Sequence, residues 1–258
     1  MDQFDFFCSV ALADNIADYQ DAVVPFCSKA FSVTNILAIR FHRHGFPEVL
    51  FCWIPDEDLR TVFNEGYEKL GFMLDPYFQR AFVVTDWEAS RLKEIAPDRF
   101  EASEYFTRYF GATKMVDEVG FVARIDENTA VHLSMGRNLG QRRFRASEVA
   151  QFKLYAKVLA PKLRQIQPNT PITSQADAVP LDQRFYAMSQ SRGTDISMRQ
   201  AEVAALIVQG HSSRAIGLKL CISIHTVKVH RRSLYKKLEI SSQNELFSLL
   251  VNSVSIEG

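Results

Sequence analysis

The sequence predicts an α+β domain followed by an all-α domain, and three observations carry that prediction. Strand-like runs occur in two pairs, each joined by a short turn, with helix-like patterns on both sides. Residues 167–181 hold three prolines among small polar residues, which is typical of a linker. Beyond it, apolar residues recur only at helical spacing. We therefore expect residues 1–166 to form one domain and residues 182–258 the other.

The first domain alternates helices and hairpins in a definite order. Two helices are predicted within residues 2–32, and hairpins at 34–54, with a turn at Gly45, and at 119–136. Further helices are predicted at 56–70, from Asp75-Pro76 onward, at 88–96, at 100–110 and at 147–165. This order favours an antiparallel sheet between helices, an α/β/α sandwich that resembles PAS and GAF domains.

Charge is divided unevenly along the 258 residues, although the formal net charge is zero. From Arg184 onward there are 10 Lys and Arg against 5 Asp and Glu, whereas the rest carries 20 against 25. The all-α domain is therefore the basic part, as a polyanionic partner requires.

The four cysteines, at positions 8, 27, 52 and 221, form no CxxC pair. This spacing predicts neither a metal site nor a disulfide framework and is typical of a reducing compartment. The start MDQFDFF is acidic, unlike a signal peptide, and no apolar run reaches membrane length. We expect a cytoplasmic protein without a metal and without a membrane partner.

Four helical patterns follow one another between Ile196 and Asn252. The first begins with a capping box, Ser197 with Gln200, and closes at Gly210. A short second pattern and a turn lead to the third, for which Ser223 is a good N-cap residue. A short helix, a turn and a longer helix in this order predict a helix-turn-helix.

The third pattern has an apolar face and a cationic face. The predicted buried stripe is Val227, His230 or Arg231, Leu234 and Leu238. The opposite face carries His225, Lys228, Val229, Arg232 and Lys236. A helix fits the DNA major groove, where Lys and Arg donate to guanine and an aliphatic side chain meets the thymine methyl group. Lys228, Val229 and Arg232 are therefore predicted to meet base edges. The predicted phosphate contacts are Thr226, His230, Arg231, Lys236 and Lys237.

These residues resemble a known family of DNA-binding domains. The matching positions are Ser197, Arg199, Glu202, Val203, Leu206, Gly210, Ile216, Leu220, Ile222, Ser223, Thr226, Val227, Lys228, Val229, His230, Lys237 and Leu238. The pattern resembles the LuxR-type, or NarL/FixJ-type, domain of bacterial transcription factors. That family usually has Glu at 200, Ala at 217 and Gly at 221, where this chain has Gln200, Gly217 and Cys221. Glycine at 217 is expected to cost up to about 1 kcal/mol relative to alanine.

The resemblance implies a transcription regulator, not an enzyme. Because one such module reads few base pairs, we expect a dimer on a short palindromic site. The expected partners are double-stranded DNA, a second copy of the chain and RNA polymerase, with no cofactor beyond a small-molecule effector. The alternative, a different class, is an interaction or oligomerisation module whose C-terminal helices dock onto a protein.

The quorum-sensing branch of the family suggests a ligand site in the first domain. Its acyl-homoserine lactone pocket uses a Trp, a Tyr four residues later, an Asp-Pro and a further Trp. This chain offers Phe63, Tyr67, Asp75-Pro76 and Trp87 at similar spacing, which makes a lactone receptor the alternative function. The Asp75 carboxylate could accept a ligand N–H between aromatic walls, or it could cap a helix while the aromatic residues form core.

Three other motifs resemble a group of LuxR-like regulators whose sensor is not of the lactone type. They are SEYF at 103–106, DEVGF at 117–121 and SMGR at 134–137. On that resemblance, the effector is a different molecule.

Two further classes are disfavoured by what the sequence lacks. A phosphoacceptor domain needs a leading strand that ends in paired carboxylates, and FDFFCSVALADN provides none. Catalysis is disfavoured because no nucleophile motif or P-loop accompanies His42, His44 and His132.

Overall fold

The chain divides into two compact units, each made from separate stretches of sequence. The computed structural model describes residues 1–43, 46–66, 71–103, 106–111, 113–166 and 179–254. Unit 1 comprises Met1–Phe72, Pro76–Ala96 and Phe110–Ala178. Unit 2 comprises Met73–Asp75, Pro97–Tyr109 and Val179–Gly258. The predicted linker at 167–181 falls mostly outside the described residues.

Unit 1 is built on a five-stranded antiparallel sheet with strand order β2-β1-β5-β4-β3. The strands are β1 (Asn35–His42), β2 (Glu48–Trp53), β3 (Trp87–Arg91), β4 (Met115–Arg124) and β5 (Thr129–Asn138). The helices that precede residue 167 are α1 (Gln3–Leu12), α2 (Ile16–Ala30), α3 (Glu57–Gly66), α4 (Phe72–Leu74), α5 (Pro76–Ala81), α6 (Leu92–Ile95) and α7 (Ala146–Gln165). Both predicted hairpins are present, and β1 pairs with β5 to join them. The predicted α+β class, with helices on both faces, is confirmed.

The helix predicted at 88–96 is wrong, because residues Trp87–Arg91 form the edge strand β3. They pair with β4 from Trp87 opposite Ala123 to Arg91 opposite Val119. Tertiary pairing thus overrides the local helical pattern, which survives only in the four residues of α6.

The helix predicted at 100–110 is also divided. The structure has a 3-10 turn at Phe100–Ala102 and a π-helical turn at Phe106–Phe110. Between them, the hydroxyl of Ser103 donates to the carbonyl of Phe100 at 2.6 Å and accepts from the amide of Phe106 at 3.2 Å. These local bonds compete with the helical ones, which explains the break.

The two faces of the sheet are covered by different helices. Helices α1, α2 and α7 pack on one face, where Ile36, Phe121 and Leu133 are fully buried. On the other face, the ring of Tyr77 from α5 lies 4.5 Å from the ring of His132, centroid to centroid. His132 is fully buried, and its Nδ1 lies 2.9 Å from the carbonyl oxygen of Phe121.

Burial lowers the pKa of His132 from its usual 6.5 to about 3, against the raising effect of the Phe121 hydrogen bond. The folded protein therefore binds fewer protons than the unfolded chain between these values, so stability decreases as the pH falls. We expect His132 to contribute a drop of up to about 1.4 kcal/mol per pH unit in the free energy of unfolding below pH 6.5. His42 and His211, whose pKa values burial also lowers, add to this slope. Urea unfolding between pH 7 and pH 5, above the range of most carboxylates, measures this slope. In His132→Gln, which cannot titrate, the slope should flatten; an unchanged slope contradicts the assignment.

Arg137, at the end of β5, is a buried charge held by the start of α7. Its Nη2 lies 2.9 Å from Oε1 of Glu148, and its Nε donates to the carbonyl of Phe31 at 3.2 Å. Its guanidinium also lies 4.1 Å from the ring centroid of Phe144. The hydrogen bond from Arg142 lowers the pKa of Glu148 most. Desolvation opposes it, but the hydrogen bond from Arg137 lowers the pKa again, so it lies well below its usual range. This cluster closes α7 onto the sheet.

Within residues 179–254, which the structure describes, unit 2 contains five helices. They are α8 (Leu181–Ser191), α9 (Met198–Val208), α10 (Ser213–Lys219), α11 (Ile224–Lys237) and α12 (Gln243–Val254). The four helices predicted from the sequence correspond to α9–α12, and α8 is additional. Along the described part of the chain, no helix is both long and apolar enough to cross a membrane.

Candidate nucleic-acid interface

Helices α10 and α11 are joined by a tight turn with left-handed backbone. Cys221 has φ +54°, and the amide of Ile222 donates to the carbonyl of Gly217 at 2.9 Å, which is the Schellman pattern of a helix C-terminus. Two residues later, Ser223 caps α11 by accepting from the amide of Thr226 at 3.0 Å. The predicted helix-turn-helix is therefore present.

Gly217 leaves room for this turn. A Cβ at position 217 would lie 2.8 Å from the carbonyl oxygen of Ile222. Alanine would therefore recover helix propensity only by displacing the turn that aims α11. The expected gain from alanine at this position does not apply to this backbone.

Cys221 is the position where a substitution is expected to stabilise unit 2. A non-glycine residue in the left-handed region destabilises the fold by roughly 1–2 kcal/mol. Glycine avoids this strain but makes the unfolded chain more flexible, which offsets part of the gain. We expect Cys221→Gly to raise the free energy of unfolding by about 1 kcal/mol, measured by chemical denaturation. Gly217→Ala is the matched control and should give no gain. Equal stabilisation by the two variants would show that helix propensity, not turn geometry, governs this region.

Helix α11 presents its two predicted faces. Val227 and Leu234 are fully buried and Leu238 is 8% exposed, while His230 and Arg231 are half-buried. The exposed side chains are Ile224, His225, Lys228, Val229, Arg232, Lys236 and Lys237. Val229 is 51% exposed, so an aliphatic group stands within the cationic face.

Three cations of this face point to solvent. Lys228, Arg232 and Lys236 form no ion pair with any residue that the structure describes. Their charges are therefore available to an external polyanion.

Lys237 and Arg231 are engaged within the domain. The ammonium of Lys237 donates to the carbonyl of Asp195 and lies 3.3 Å from Oε1 of Gln200. Gln200 in turn donates to the hydroxyl of Ser233 at 2.9 Å, so this set joins α11 to the start of α9. The guanidinium of Arg231 lies 5.1 Å from the ring centroid of Tyr235. The phosphate contacts assigned to these two cations stay predictions.

Of the predicted lactone-type set, the structure describes the side chains of Asp75 and Trp87. Asp75 is buried and directly precedes α5, whose Tyr77 covers the sheet face that carries His132. Trp87 pairs with Ala123 and packs against the core beneath α1, α2 and α7, on the opposite face. Tyr67 lies outside the described residues, and of Phe63 only the backbone, in α3, is described.

A cavity lies on the sheet face that carries His132, beside Leu37 and Ser134. Its enclosed volume is about 40 Å³, and it is partly open to solvent. Its lining residues are Asn35, Leu37, Ile54, Leu59, Thr113, Met115, Glu118, Ser134 and Asn138.

Two of the sequence motifs contain residues that line this cavity and could have indicated it. Glu118 of DEVGF and Ser134 of SMGR line it. Asp117 and Arg137, from the same motifs, bind Arg91 and Glu148 under the opposite helices. Because side chains alternate along a strand, each motif serves both faces of the sheet.

The matches to known proteins agree with this geometry. Residues 194–250 match the family "Bacterial regulatory proteins, luxR family". The chain is 29% identical over 184 residues to the HTH-type transcriptional regulator in the exeN 3'region of Aeromonas salmonicida, covering 69% of this chain and 93% of that protein. It is 38% identical over 55 residues to the HTH-type transcriptional regulator YhjB of Escherichia coli K12, covering 21% of this chain and 28% of that one.

A solved structure shares the fold at low sequence identity. The VqsR LBD domain from Pseudomonas aeruginosa gives a TM-score of 0.51 at 22% identity, covering 62% of this chain and 93% of that one. An exposed cationic helix in a helix-turn-helix, following an α+β domain, defines a DNA-binding transcription regulator. Residues 194–250 form a LuxR-family helix-turn-helix domain.

Proposed function

We propose that this regulator binds a short palindromic DNA site as a dimer, through α11, under the control of a small-molecule effector in unit 1. The observation that carries the proposal is the exposed face of Lys228, Val229 and Arg232 on a helix anchored by Val227 and Leu234. The expected partners, DNA and RNA polymerase, support a cytoplasmic location.

The exposed face matches the chemistry of the major groove. Lys228 and Arg232 are one helical turn apart, so both can donate to guanine O6 and N7 on neighbouring base pairs. Val229 lies beside them and suits a thymine methyl group. Lys236, a further turn along, is placed for a phosphate.

A dimer supplies the length of site that one helix cannot. Three base-reading side chains specify only a few base pairs, whereas two copies related by a two-fold axis read an inverted repeat. The half-sites are then separated by about one helical turn, roughly 10 base pairs, or a multiple of it.

The cavity of unit 1 is the proposed effector site. Its walls combine apolar side chains such as Leu37 with polar ones such as Ser134, a mixture typical of small-molecule pockets. The position of Trp87 on the opposite face favours an effector other than an acyl-homoserine lactone.

Selection of duplexes from a randomised library by the full-length protein tests the DNA-binding proposal. We expect an inverted repeat to be enriched, with affinity that falls steeply as salt rises. Absence of any enriched sequence, with no salt-dependent binding, would favour the protein-interaction alternative. Enrichment of a single asymmetric element would contradict the dimer.

A thermal-stability screen of small metabolites against the full-length protein tests the effector site. Molecules that raise the melting temperature should lose this effect in Leu37→Trp, which fills the cavity. Val83→Trp is the matched control, because Val83 is 65% exposed and does not line the cavity. Equal stabilisation of both variants by the same molecule would place the effector elsewhere.

A further inference from the structure

A stretch from the N-terminal half of the chain packs on the turn between α9 and α10. The amide of Arg99 donates to the carbonyl of Gly210 at 3.1 Å. The amide of Ser212, the N-cap residue of α10, donates to the Asp98 carboxylate at 2.9 Å. Two hydrogen bonds of opposite direction thus join Asp98 and Arg99 to Gly210 and Ser212.

Gly210 permits this close approach. Its φ is +92°, and a Cβ there would lie 3.1 Å from Cβ of Ser103 and 3.4 Å from the carbonyl oxygen of Arg99. Position 210 therefore requires glycine both for its backbone conformation and for the space that the neighbouring segment occupies.

The segment is held in shape by its own bonds. The amide of Phe100 donates to the carbonyl of Pro97 at 3.0 Å, and the amide of Ala102 donates to that of Arg99 at 3.0 Å. Ser103 and Phe100 are buried. A displacement of either end would therefore move the segment as one piece.

The chain connectivity ties this segment to the sensor fold. Pro97–Tyr109 belongs to unit 2, yet it leaves from α6 and returns to β4, which are elements of unit 1. A change within unit 1 thus reaches the α9–α10 turn through two covalent connections, independently of the linker.

The charge of Asp98 opposes DNA binding. Burial raises the pKa of Asp98, but the hydrogen bonds from Ser212 lower it further, so the carboxylate is ionised at neutral pH. In helix-turn-helix complexes the first helix crosses the DNA backbone. A carboxylate beside the start of α10 repels phosphates there.

We propose that residues 97–103 form an autoinhibitory clasp on the turn Gly210–Ser212, through which unit 1 restrains DNA binding. The inference rests on the proposed function, because it concerns regulation of the same DNA-reading surface. Release of the clasp frees α10 to approach the backbone and removes a negative charge from its path.

The test uses full-length Asp98→Ala with a fluorescent duplex carrying the selected site. We expect about a fivefold gain in affinity, the lower end of allosteric couplings. Glu101→Ala is the matched control, since it removes the same charge from the same segment at an exposed position. It should leave affinity nearly unchanged. Unaltered or weaker binding by Asp98→Ala, or an equal gain in both variants, overturns the clasp.

Amide hydrogen exchange at Ser212 provides a readout that does not depend on DNA. We expect protection in the wild type and in Glu101→Ala, and faster exchange in Asp98→Ala. Fast exchange already in the wild type overturns the clasp. If the wild type binds no duplex at all, the proposed function fails, while the exchange result still shows whether the clasp forms.

Discussion

Replacing Lys228 and Arg232 together by alanine is expected to weaken binding to the selected DNA site by about a hundredfold or more. Each side chain is proposed to make a guanine contact, and a good bidentate contact contributes about 1–3 kcal/mol of discrimination. Both side chains are exposed on a helix anchored by Val227 and Leu234, so the substitutions should leave the fold intact. Fluorescence anisotropy with the selected duplex and a scrambled duplex measures the loss, which should be much larger for the selected one.

Lys236→Ala is the matched control for charge. Lys236 lies on the same exposed face but one turn beyond the base-reading positions. We expect it to weaken both duplexes alike and to reduce the salt slope by about one. If the double variant instead weakens both duplexes equally, Lys228 and Arg232 contact phosphates and the base-reading assignment fails.

Arg137→Ala is expected to destabilise unit 1 by about 3–5 kcal/mol, the usual cost of removing one partner of a buried ion pair. The Arg137 side chain is 2% exposed, and its loss removes the buried guanidinium partner of Glu148 and the side-chain donor to the carbonyl of Phe31. Because the cluster closes α7 onto the sheet, we expect lower yield and an earlier urea transition. Circular dichroism during urea titration follows both.

Arg142→Ala tests whether burial sets this cost. Arg142 also binds Glu148, with Nη1 2.6 Å from Oε2, but its side chain is 50% exposed. An exposed partner of the same carboxylate should contribute much less. Similar losses in the two variants would mean that the charge of Glu148, and not the burial of Arg137, determines stability.

Helix α11 could be predicted closely because its faces follow from spacing alone. Val227, Leu234 and Leu238 recur at helical intervals, and the cations fall between them. Capping is equally local, since Ser197, Ser212 and Ser223 each accept a bond from an amide three residues ahead. Features that depend only on neighbours in sequence can therefore be predicted without a structure.

Features that depend on distant pairing were missed for a physical reason. The strand β3 exists because β4 offers it hydrogen bonds, although residues 88–96 read as a helix. The face occupied by Trp87 follows from the same pairing and cannot be read from its spacing to Asp75. The contact of Asp98 with Ser212 joins residues 114 positions apart.

The split composition of unit 2 has a consequence for protein engineering. A chimaera that grafts residues 179–258 onto a foreign input module would carry the five terminal helices without Pro97–Tyr109. The Ser212 amide would then lose its acceptor, and Gly210 would lose the neighbours Arg99 and Ser103. Such chimaeras should bind DNA more readily than the parent protein, because they lack the segment Pro97–Tyr109.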